Sequence, residues 1–65
     1  MQELSLAYLV KFSQNETQSF APIDLLFPSN VTAAEIASAI RNVLTQRVGV
    51  GFHILEVYLV KSVLV

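Results

Sequence analysis

Apolar positions along this chain change their spacing twice, and each spacing predicts a different element. From Leu4 to Phe12 they alternate: Leu4, Leu6, Tyr8, Val10 and Phe12 share one side, with Ser5, Ala7, Leu9 and Lys11 on the other. That period of two predicts a strand with one strongly apolar face. Gln14, Asn15 and Glu16 interrupt the alternation with residues suited to a hairpin turn. The strongest two-residue signal, Asn-Gly, is absent, so the loop type stays open. Alternation resumes over Thr17 to Phe27, with Ile23, Leu25 and Phe27 on one face and Phe20, Asp24 and Leu26 on the other. Pro22 cannot donate to a ladder, so this second strand is expected at a sheet edge, or broken or bulged near Pro22.

Between Val31 and Gly49 the spacing becomes helical. Ile36, Ile40, Val43 and Leu44 recur at offsets that place them on one stripe, with Ala33 and Ala37 as a smooth flank for close approach. Thr32 is an N-cap residue with Glu35 three places on as its capping-box partner, and Val31 and Ile36 are spaced as a hydrophobic staple. Glu35 in the first turn and Arg47 in the last both suit the helix dipole, and Gly49 supplies a left-handed stop. A helix over about 33–48 is predicted.

Residues 52–65, FHILEVYLVKSVLV, are dense in β-branched and aromatic side chains and predict a third strand. Strict alternation divides it into Phe52, Ile54, Glu56, Tyr58, Val60, Ser62 and Leu64 against His53, Leu55, Val57, Leu59, Lys61, Val63 and Val65. Both sets are largely apolar. The segment exceeds a usual strand of about 5–6 residues, so it is expected to bend, split or extend beyond the domain. The order strand, strand, helix, strand gives one α+β domain over 1–65: a single-layer ββαβ arrangement whose antiparallel or mixed sheet packs on one helix. One helix covers one face of such a sheet.

Composition sharpens the problem. Hydrophobic residues form 54% of the 65-residue chain and charged ones 14%, against about 45–50% and about 25% in ordinary globular domains. A chain of this size buries only about 60% of the surface its unfolded form exposes. The surplus is therefore expected at a subunit interface or on a partner. The net charge of −1 comes from singly scattered groups with no basic stripe, which disfavours nucleic acid. Charged residues interrupt every long apolar run, so no membrane span is expected. The first dozen residues do not read as a signal peptide, which makes the cytoplasm the default location.

Candidate chemistry is sparse. There is no cysteine, and His53 is the lone histidine, too few ligands for a metal site and unsupported by any nucleophile motif around the serines. Its plain role is a local hydrogen bond at the start of a strand. Glu56, mid-strand, is expected to pair across the sheet with Lys11 or Lys61. Gly49 and Gly51 follow a helix rather than precede one, the wrong order for a phosphate loop. Asn15-Glu16-Thr17 and Asn30-Val31-Thr32 match the glycosylation acceptor pattern, but without a secretion signal neither is expected to be modified.

The stretch IDLLFPSNVTAAEIASAIRNVL resembles the second strand and helix of β-grasp, ubiquitin-like domains. It is similar in particular to the small ubiquitin-like proteins of type VII secretion systems, through Phe27-Pro28, Glu35, Ile36 and Ile40. The resemblance covers about a third of the chain. It implies a sheet that needs another strand or two, completed through a partner or absent in a trimmed member. The expected function is a non-enzymatic protein-interaction or adaptor module without cofactor. The alternative is a self-assembling structural component, such as a small phage or mobile-element protein. A homo-oligomer, with a dimer favoured, is expected through the last strand. Its interface residues are Phe52, Ile54, Glu56, Tyr58 and Val60, with Leu55, Val57 and Leu59 as the competing outward set.

Overall fold

A hairpin begins the fold. In the computed structural model, which describes residues 2–65, Glu3–Gln14 (β1) and Thr17–Pro28 (β2) pair antiparallel, with Gln14 opposite Thr17. The loop is thus Asn15-Glu16 alone, and both residues have positive φ, 51° and 65°. Two positive φ values match the right-handed twist of the flanking strands, as in a type I′ turn. Asn tolerates this geometry, whereas Glu adopts it against the clash of its own Cβ.

The helix Ala33–Val48 (α1) has the predicted bounds. The Thr32 hydroxyl accepts from the Glu35 backbone N–H at 3.2 Å and donates to the Glu35 carboxylate at 3.1 Å. The box therefore closes through the hydroxyl rather than through the Thr32 amide. Gly49, at φ 81°, ends the helix and donates its N–H to Thr45 O at 2.9 Å. Gln14 at the end of β1 donates its side-chain amide to Val48 O and Val50 O, at 2.8 and 3.1 Å. The last turn of the helix is thereby tied to the hairpin end of the sheet.

Phe52–Leu64 (β3) follows and pairs antiparallel with β1, so the sheet order is β2-β1-β3 and the architecture is the expected α+β. β2 is an edge strand and runs unbroken through Pro22. The core lies between α1 and one sheet face: Ile40 and Leu44 pack against Val10, Phe12, Ala21 and Ile23, with Tyr8, Leu25, Ile36, Val43, Phe52 and Ile54 around them. Val10, Ile23 and Leu44 are fully buried. The helix backbone approaches β2 most closely, away from β3. The expected close approach at Ala33 and Ala37 does not occur, and both are exposed.

Two irregularities in β3 overturn the strict alternation read from its sequence. The register steps from Ala7↔Lys61 to Tyr8↔Leu59 and from Lys11↔Glu56 to Phe12↔Ile54, leaving Val60 and Leu55 as extra residues. Each such bulge shifts the strand by one residue and exchanges its faces. Opposite residues share a face, so Phe52, Ile54, Val57, Leu59, Ser62 and Leu64 lie with the helix. His53, Glu56, Tyr58, Lys61 and Val63 lie on the open face.

Replacing Glu16 by glycine, which adopts positive φ freely, is expected to stabilise the protein by about 1 kcal/mol. Chemical denaturation checks this, and an unchanged or lower midpoint contradicts the strained turn. Ile40, central to the only buried cluster among the described residues, should lose about 2–5 kcal/mol on truncation to alanine. A cooperatively folded Ile40→Ala protein of unchanged midpoint is incompatible with this packing.

Candidate functional site

Most of the exposed large apolar surface lies on β3 and the residue that follows it. Leu55, Val57, Tyr58, Leu59, Val60, Val63, Leu64 and Val65 are all exposed, Val60 to 67% and Leu59 to 56%. The reason is geometric. β1 runs for 12 residues, about 40 Å at roughly 3.4 Å per residue, while the 16 residues of α1 span only about 24 Å. The helix also sits toward β2, so β3 beyond Ile54 is bare even on the helix side.

Beside the helix this leaves an open cleft of about 390 Å³, lined by Tyr8, Ala33, Ile36, Ala37, Ile54 and Val57, with Arg41 at its wall. Arg41 stacks over the Phe52 ring at 5.7 Å, a cation–π contact that occupies its guanidinium.

The two edges of the sheet are built differently. Glu3 and Val65 exchange both backbone hydrogen bonds, N–H to O distances being 2.9 and 2.8 Å. Odd-numbered residues of β1 therefore address β3 and even-numbered ones β2. Pro22 pairs with Leu9, so its missing donor faces outward. On that outer side the Pro22 carbonyl accepts from Arg47 Nη1. Proline, Asp24 and a guanidinium thus blunt the β2 edge, a known way of discouraging strand addition. On β3, Val57 and Leu59 pair with even-numbered Val10 and Tyr8, so their own N–H and C=O groups point outward. β3 carries no proline.

The five expected interface residues are not brought together as one face. Phe52 and Ile54 pack against the core on the helix side, Glu56 and Tyr58 stand on the open face, and Val60 sits at a bulge. The competing set is also divided, since Val57 and Leu59 lie on the helix side and Leu55 is a bulge residue. Glu56 is opposite Lys11 in the ladder, but among the described residues the expected ion pair is not formed; the Glu56 carboxylate instead accepts from the Tyr58 hydroxyl at 2.5 Å. That hydrogen bond, with lesser contributions from desolvation and the Glu56 charge, holds the Tyr58 phenol above its ordinary value. His53 is exposed opposite Ser13. Among the described residues no three acids or histidines gather for a metal ion, and no helix is long and apolar enough to cross a membrane.

The Tyr58–Glu56 bond needs a protonated phenol. Because the folded phenol titrates above its ordinary value, the contact contributes stability below that ordinary value and loses it as pH rises through the folded midpoint. Glu56→Gln should lower the Tyr58 midpoint. Ultraviolet titration in a Tyr8→Phe background reads this directly, and an unmoved midpoint excludes the contact in solution.

No family model, curated protein or solved structure matches this chain.

Proposed function

We propose that the protein is a small non-enzymatic interaction module that accepts a strand of another polypeptide on the outer edge of β3. The observation that carries this reading is the asymmetry of the edges. β2 is blunted by Pro22 and Arg47, whereas β3 offers outward backbone groups flanked by exposed apolar side chains on both faces. Strand addition takes its affinity from main-chain hydrogen bonds and its specificity from alternate side chains. Both are supplied here. The ubiquitin-like resemblance of Ile23 to Leu44 agrees with a sheet completed by a further strand.

The second reading, self-assembly as a structural component, uses the same edge. It is favoured by the concentration of apolar surface on a single strand, which a copy of that strand would match.

Val57→Pro tests strand addition. It deletes one outward donor and leaves the bonds to β1 in place, since the Val57 N–H faces away from β1. The variant should keep its circular dichroism spectrum and lose binding to any protein chain the wild type binds. It should also lose exchange protection at the Leu59 amide. Retained binding and protection by a folded Val57→Pro protein would overturn the reading.

A further inference from the structure

We propose that the strand accepted by β3 is β3 of a second copy, paired antiparallel about a twofold axis at Tyr58. This rests on the edge-strand reading above and adds the partner and the register. Val60 is the extra residue of a bulge, so Glu56 and Lys61 stand two ladder places to either side of Tyr58, on the same open face. Without the bulge they would be unequally spaced and on opposite faces. Val57 and Leu59, whose backbone groups point outward, flank Tyr58 by one place each.

An antiparallel pair centred on Tyr58 is therefore complementary to itself. Val57 of each copy exchanges backbone hydrogen bonds with Leu59 of the other, and Tyr58 meets Tyr58 in the non-hydrogen-bonded position. Glu56 lies opposite Lys61 at both symmetric positions. The neighbouring centres lack this match: centring on Val57 sets Lys61 against His53, and centring on Leu59 sets Glu56 against Val63. Charge thus selects one register out of the three.

The same register uses the apolar surface. The axis is perpendicular to the sheet, so both helices lie on one side of a continuous β2-β1-β3-β3-β1-β2 sheet. Leu59 of the second copy then stands beside Val57, which lines the open cleft next to α1, at the spacing of directly opposed side chains, about 4.5–5.5 Å. Leu59, 56% exposed in the single chain, becomes part of a joint apolar floor.

The test compares the masses of the wild type, Glu56→Lys and Lys61→Glu by sedimentation at tens of micromolar and low ionic strength, with circular dichroism confirming the fold. The wild type is expected to be a dimer. Each single variant places like charges at both symmetric contacts and should weaken self-association roughly tenfold or more. An equimolar mixture of the two variants restores opposite charges at both contacts. It should give dimers containing one copy of each chain by native mass spectrometry, and 1 M salt should abolish that preference.

A wild type monomeric at tens of micromolar overturns the proposal. So do single variants that dimerise as well as wild type, or a mixture that pairs at random. If the wild type dimerises and Val57→Pro does not, while the charge variants have no effect, the register fails and the edge reading stands. If Val57→Pro also leaves the dimer intact, both fail.

Discussion

One helix on one side of a sheet longer than itself is the constraint from which the rest of this structure follows. Burial of Ile40 and Leu44 against Val10, Phe12, Ala21 and Ile23 supplies the core, and in so small a chain nothing else replaces it. With the helix placed over β1 and β2 to make that core, no element among the described residues covers the open face or the outer half of β3. The surplus of apolar residues in the composition thus has a location: it lies along 55–65, on both faces and beside an unpaired edge.

The edges divide the labour. β2 carries proline twice, at Pro22 and Pro28, and the last turn of the helix reaches over it through Arg47. That contact secures the helix C-terminus and occupies an outward carbonyl at once. The Gln14 bonds to Val48 and Val50 act at the same end, so the hairpin, the helix end and the β2 edge are closed together. β3 leaves this secured end at Phe52 and runs away from it, and its large apolar residues from Leu55 onward are exposed. A strand in this position either finds another chain or presents a hazard for uncontrolled pairing.

Bulges give β3 its particular character. They move Val57 and Leu59 to the helix side and gather Glu56, Tyr58 and Lys61 on the open side. A regular strand of this sequence would have spread its two charges over different faces. With them, the charges frame Tyr58 symmetrically, and the Tyr58 hydroxyl is held by Glu56.

The sequence by itself determined whatever depends on neighbours a few residues apart. Thr32, Glu35 and Gly49 set the ends of α1 because capping is local chemistry. The alternation of Leu4 to Phe12 and of Ile23 to Phe27 set the buried faces of the hairpin. Pro22, lacking a donor, limited β2 to an edge, a break or a bulge, and the ladder decided for the edge. Tertiary structure decided the rest. The closeness of the two hairpin strands forced the positive φ of Glu16, a residue that does not signal it. Which strand lies beside β1, and where β3 slips against it, depend on matching a ladder with a strand some fifty residues away in sequence. Period-two counting assumes that no residue is left out of that ladder. Leu55 and Val60 are left out, and this places every residue between them on the side opposite to the one that counting from Phe52 assigns.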